Sequence, residues 1–255
     1  MSTEAEWGAF PSVVDDKPAM VVCDISFGRK PDPALTTLIH VRLPLTESDE
    51  HGMPTDSALE AMSAAEDAVI PTLEGLGARH VGSIVTGGVR HLYFYSKSDR
   101  GIADALRPIS GMFPKTPPSA MTRADAKHAL YFTQLAPNDW QHQFILNAGV
   151  IAELAEAGDD HEAPHNIEHA ADFGTRQDRD AFADALNAIE IEFQIDGSSL
   201  NTEPDTSTPM PWRILWTHES PIDLEALTDV TSALIELCRQ HNGEYDGWGT
   251  NLVKT

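Results

Sequence analysis

Short apolar, β-branched runs recur along this chain at close intervals, bounded by glycine, proline and asparagine turns and separated by at most one helical stretch. A chain with more strands than helices cannot build a helical bundle, nor a doubly wound sheet in which every strand is followed by a helix. It points instead to an α+β fold, antiparallel sheets with helices on one face. AMVVCDIS (19–26) and TTLIHVRL (36–43) flank an FGRKPDP turn and read as a hairpin. Thr55 or Asp56 caps a helix whose positions Leu59, Met62, Ala65, Val69 and Leu73 follow the helical period, and Gly75-Leu76-Gly77 stops it. ARHVGSIVT (78–86), Gly87-Gly88 and VRHLYFYS (89–96) form a second hairpin. Ser98 or Asp99 caps a helix through Leu106, FPKTPPSA is a loop and ALYFTQL (129–135) is a last strand, giving the order ββαββαβ.

A polar Pro137-Asn138-Asp139 junction then separates two patterned stretches, so we expect two small domains, 1–137 and 138–255. The second opens on an amphipathic helix with Phe144, Ala148, Ile151, Leu154 and Ala155 on one stripe and a stop at Gly158. PHNIEHAADF (164–173) alternates, Thr175 caps a helix, IEIEFQI (189–195) alternates strictly, and WRILWTHE is a further strand after a polar loop. Asp223 starts a helix with Leu227, Val230, Leu234 and Leu237 on one face, and GEYDGWGTNLV closes the domain. A leading helix followed by βαββαβ is the ferredoxin-like arrangement.

Charge narrows the function classes. The 255 residues hold 40 acids against 17 Lys and Arg, a formal net charge of −23. Such a chain has no general footprint for nucleic acid or anionic lipid, whose non-specific affinity comes from Lys and Arg. Residues 1–137 hold 17 acids and 12 bases, whereas residues 138–255 hold 23 acids and only 5 bases. A general demand for solubility would load both halves alike, so the second half looks built for a basic partner. MSTEAEWGAF carries no basic and apolar leader pattern, and no stretch approaches the roughly 18 apolar residues of a membrane span. We expect a cytoplasmic protein. Cys23 and Cys238 form no C-x-x-C, which argues against a disulfide framework or a thiolate zinc site.

Two strings stand out. His165-Asn166-Ile167-Glu168-His169 matches the H-x-x-E-H of inverted zinc peptidases, where two histidines one helical turn apart hold the metal and the glutamate is the base. Such a site, a metal-dependent hydrolase centred on His165, Glu168 and His169, requires a helix. Pro164 and the alternation favour a strand, with His165, Ile167, His169, Ala171 and Phe173 on one face and Asn166, Glu168, Ala170 and Asp172 on the other. Glu168 would then point away from both histidines. A fortuitous metal site using His161, His165 or His169 is a separate candidate, and no cofactor is expected. GEYDGWGT (243–250) interleaves glycines with Tyr245 and Trp248, as a sharply turned strand would, and its aromatics beside Asp246 either pack or receive a partner's arginine. Thr86-Gly87-Gly88 lacks the Lys-Ser/Thr of a phosphate loop, and there is no G-x-S-x-G. Nothing argues strongly for catalysis.

These two strings, with Asp172-Phe173 behind the first, resemble the hallmark stretches of the RraB family, regulators of ribonuclease E activity, and the resemblance covers about residues 140–255. Trp7, Asp15-Asp16-Lys17-Pro18-Ala19, Asp49-Glu50-His51-Gly52-Met53-Pro54 and the Arg90–Ser96 strand are similar to the family called domain of unknown function 695. The first resemblance implies a non-catalytic protein that binds ribonuclease E, or the degradosome built on it, through the nuclease's arginine-rich, non-catalytic region and lowers its activity. A strongly acidic module suits such a partner electrostatically and touches no RNA itself. Glu168, Asp172, Tyr245, Asp246 and Trp248 are the expected partner-binding residues. Two other readings remain open, the hydrolase above and an interaction scaffold with no nuclease link.

Overall fold

The computed structural model describes residues 5–187, 189, 191, 193–195, 200–205 and 207–254. The chain separates into two compact units, Met1–Pro137 and Asn138–Thr255, both built of helices and antiparallel sheet.

The first unit is a six-stranded antiparallel sheet in the order β1-β2-β4-β5-β3-β6. Its strands are β1 (Trp7–Val14), β2 (Lys17–Asp24), β3 (Thr37–Pro44), β4 (Arg79–Thr86), β5 (Val89–Ser96) and β6 (Ser119–Ala124). The β4–β5 hairpin turns at Gly87 and Gly88, whose φ angles of 55° and 78° suit a tight turn. Helices α2 (Asp56–Glu74) and α3 (Ile102–Met112) cover one face, burying Val69, Leu73, Leu106 and Ile109 against Ile39, Val41, Leu92 and Phe94. A short α1 (Ile25–Arg29) and a π-helical turn (Tyr131–Leu135) sit on the opposite face, where Phe27 stacks on Tyr95 and meets Tyr131 edge-on.

Several expectations need correction here. β2 pairs with β1 and β4, not with β3, because Asp15 and Asp16 adopt positive φ of 50° and 60° and turn the chain straight from β1 into β2. Ile25 and Ser26 leave the strand for α1, started by the Asp24 carboxylate accepting from the Phe27 N–H. α3 begins after Gly101, not at Ser98 or Asp99. Residues 129–135 are helical and not a strand, since Asp125 accepts the N–H groups of Ala129 and Leu130 and sets the chain coiling. The proline-rich loop ends in the edge strand β6, which buries no side chain and so carries no apolar signal.

The second unit holds α4 (Asp139–Glu156), β7 (His165–Phe173), α5 (Arg176–Leu186), β8 (Trp212–Ser220), α6 (Leu224–Gln240) and β9 (Gly243–Gly249). Asn138 and Gln141 close a reciprocal capping box on α4, while Thr175 and Asp223 cap α5 and α6. The sheet is antiparallel in the order β8-β7-β9, and α5 and α6 press Phe182, Leu186, Leu234 and Cys238 onto Ala171, Phe173, Ile214 and Trp216. The expected IEIEFQI strand lies partly outside the described residues. Among its described residues only Gln194 bridges to Thr217, at the free edge of β8, while Ile189, Phe193 and Ile195 pack on the core; residues 190 and 192 lie outside the described set. Among the described residues the expected βαββαβ is thus three strands and two isolated bridges to β8, Gln194 to Thr217 and Leu200 to Ile214.

Candidate functional site

β7 organises the second unit, because its two faces meet different surroundings. His165, Ile167, His169, Ala171 and Phe173 are buried, and Asn166, Glu168 and Asp172 look outward. On the inner face His169 is fully buried and satisfied on both nitrogens. Its Nδ1 lies 2.7 Å from the Tyr245 hydroxyl and its Nε2 lies 2.9 Å from Nδ1 of His218. Tyr245 donating to His169, and His169 in turn to His218, accounts for every hydrogen bond with both imidazoles neutral. Burial, and then the neighbouring His218, push the His169 pKa down to about 3, so it stays neutral. His165 is buried between the Ala163 carbonyl at 2.7 Å and the Asp159 carboxylate at 3.0 Å. His161 stands 3.7 Å from the same carboxylate.

The zinc-hydrolase geometry does not form. His165 and His169 lie on a strand with Glu168 on its other face, so the glutamate cannot serve as base to a metal held by these histidines. Among the described residues no group of three His, Cys, Asp or Glu side chains is arranged to hold a metal ion.

The outer face is where charge collects. Glu168 and Asp172 of β7, Glu219 of β8, and Glu244 and Asp246 of β9 lie on or beside it, and Arg213 of β8 is the cation among them. A bulge in β9 places Asp246 between the pairings of Tyr245 with Ala171 and Gly247 with Ala170, and this re-aims its carboxylate toward Arg213. Arg213 therefore bridges Asp246 and Asp172, the latter at 2.8 Å. One guanidinium does not compensate the crowd. Burial raises the Asp172 pKa, Arg213 offsets part of that, and Asp246 and Glu244 raise it further. The remaining arginines of this unit are also committed, Arg176 and Arg179 to Asp180 and Arg239 to Asp139.

The five expected partner-binding residues thus divide. Glu168, Asp172 and Asp246 share the open face. Tyr245 and Trp248 are half-buried on the core side, Tyr245 against His169 and Trp248 donating its indole N–H to Asn147 Oδ1 at 2.9 Å. Asn147, buried on α4, also donates to Thr228 and Thr231 of α6, tying α4, α6 and β9 together. Glu219, Glu244 and Arg213 extend the charged face, and the alternation of WRILWTHE about Ile214, Trp216 and His218 carries the signal that would have placed Arg213 and Glu219 there. No described helix is long and apolar enough to cross a membrane.

Known proteins match both units. The family described as regulator of ribonuclease activity B matches residues 145–250, and a family of unknown function, DUF695, matches residues 5–136. A regulator of ribonuclease activity B from Photobacterium profundum is 30% identical over 102 residues, 40% of this chain and 74% of the relative. Its counterpart from Xenorhabdus nematophila is 29% identical over 118 residues, 45% of this chain and 78% of that protein. Both relatives carry the name of the family that matches the second unit.

Proposed function

Since the chain belongs to the family of regulators of ribonuclease activity B, with a first unit in the DUF695 family, we propose that it is a non-catalytic regulator of a ribonuclease. Its acidic second unit binds a basic, arginine-rich segment of that enzyme, of the kind ribonuclease E carries outside its catalytic part, and so slows RNA decay. The observation that carries this reading is the carboxylate face of β7, β8 and β9, where Glu168, Asp172, Glu219, Glu244 and Asp246 outnumber Arg213. An incoming arginine-rich segment would relieve that imbalance with charge-assisted, bidentate hydrogen bonds. It would also be drawn in from a distance by the field of a unit with 23 acids and 5 bases. RNA competes for the same arginines, so occupancy by this protein lowers the enzyme's grip on RNA without any contact between the regulator and RNA.

The reading is tested by fluorescence anisotropy of a labelled arginine-rich segment of ribonuclease E titrated with the full chain. Binding at about 0.05 M salt should weaken steeply toward about 0.5 M. The Glu168→Gln/Glu244→Gln double variant, which leaves the Arg213 bridges intact, should weaken it by about threefold to tenfold. Absence of binding at the lower salt would remove the nuclease-specific reading.

A further inference from the structure

The first unit carries a cationic cleft in an otherwise acidic chain. On the sheet face opposite α2 and α3, cross-strand pairing builds three rows: Tyr95, Leu38 and Arg123; Tyr93, His40 and Met121; His91, Arg42 and Ser119. A cleft of about 370 Å³ opens over Leu38, Arg123, Tyr93, His40 and Met121, walled by Gln134 of the π-helical turn, and the row of His91, Arg42 and Ser119 adjoins it outside its lining. That volume falls in the range of small-molecule sites. Its floor is flat and apolar, with His40 stacked on Tyr93 at a centroid distance of 4.8 Å beside Leu38 and Met121.

Polar chemistry is concentrated at the same place. His40 Nε2 and His91 Nδ1 are 2.8 Å apart. Burial first, then His91, Arg42 and Arg123, push His40 down to about 4, and His91 is lowered by burial and by Arg42. Neutral imidazoles supply hydrogen bonds and no charge, so the charge of the site comes from Arg42 and Arg123. Arg29, Arg79, Arg90 and Arg107 of this unit each pair with a carboxylate. Among the described residues Arg42, Arg100 and Arg123 form no ion pair, and of the three Arg123 lines the cleft and Arg42 adjoins it. Asp125, two residues from Arg123, feels that guanidinium electrostatically, but its oxygens are taken by the Tyr95 hydroxyl at 2.7 Å and the N–H groups of Ala129 and Leu130 at 2.8 and 3.1 Å. In a chain with 40 acids, leaving two guanidinium groups unpaired beside a roomy aromatic cleft is an arrangement that an anionic ligand completes.

We propose that this cleft binds a small organic anion, a flat apolar body bearing one carboxylate or phosphate. Arg123, which lines the cleft, holds the anionic group, Arg42 in the adjoining row adds its positive field, and the His40–Tyr93 surface with Leu38 and Met121 receives the body. A polyanion such as RNA is opposed by the net charge of −23.

Isothermal titration of the full chain with phenyl phosphate and, separately, with benzoate tests this. At least one of them should bind saturably at near-physiological salt, and the bound probe should shift the imidazole resonances of His40 and His91. Arg123→Gln should weaken binding about tenfold or more. Arg107→Gln, an exposed arginine paired to Asp104, should bind as the parent does. Inorganic phosphate, lacking the body, should bind more weakly than phenyl phosphate. The proposal is overturned if neither aromatic probe binds up to about 10 mM, if Arg123→Gln binds them undiminished, or if a short single-stranded RNA binds the same arginines more tightly than either probe.

Discussion

Gly243 shows how a single position fixes the closing strand. It pairs with Phe173, and a Cβ added there would lie 2.2 Å from Phe173 Cε1 and 2.5 Å from Cδ1, inside a fully buried ring. The ring cannot retreat because it packs on Phe182. Gly243→Ala should therefore cost about 2 kcal/mol or more, read as a lower urea midpoint; an unchanged midpoint would mean the β7–β9 register is wrong. Among the glycines of GEYDGWGT, Gly243 is required for close approach and Gly247, at a φ of 141°, for the bulge that turns Asp246 outward. Both requirements are local backbone facts, and the interleaving of glycines with aromatics in the sequence signals them. What the sequence could not convey is the side each aromatic faces. Tyr245 and Trp248 flank the bulge, and because the extra residue restores their common orientation, both turn inward to His169 and Asn147.

At the scale of elements, the parts that read clearly were those with one face buried and one wet. β7 alternates because α5 and α6 cover one side only, and the same pattern disposes of the H-x-x-E-H motif as a metal site. Elements without that contrast escaped. β6 is exposed on both faces, the Tyr131–Leu135 turn is a short apolar run that period alone cannot assign, and of the described residues of IEIEFQI Gln194 alone bridges to β8. α4 illustrates a polar anchor that no hydrophobic pattern reveals. It buries no apolar residue fully, and its one fully buried side chain, Asn147, holds Thr228, Thr231 and Trp248 at once. Asn147→Ala strands those partners and should destabilise the second unit by roughly 2–3 kcal/mol. Trp248 fluorescence should report the loss of the indole hydrogen bond, and a variant as stable as the parent would refute the anchoring role.

For the whole molecule, burial of neutral histidines sets the response to acid. His40 and His80 are lowered to about 4 and His169 to about 3 from an ordinary 6.5, in each case first by burial. Below 6.5 the unfolded chain takes up protons that these folded imidazoles refuse, so their contribution to stability is complete above that pH and is lost as pH falls toward 4 and 3. The urea midpoint should accordingly drop between about pH 7 and about pH 5, and a flat profile would show that the three rings are solvated. The charge asymmetry between the units was fully legible in the sequence, but the grouping of five of the 23 acids of the second unit around Arg213 on one sheet face required the fold. The nuclease-regulating role proposed above assigns partner binding to that face, and it is tested most directly by the rate at which purified ribonuclease E cleaves RNA with and without this protein. Cleavage by the full-length nuclease should slow as the protein is added, while cleavage by a nuclease lacking its arginine-rich region should not change. Undiminished cleavage by the full-length enzyme, or equal slowing of the truncated one, would contradict it.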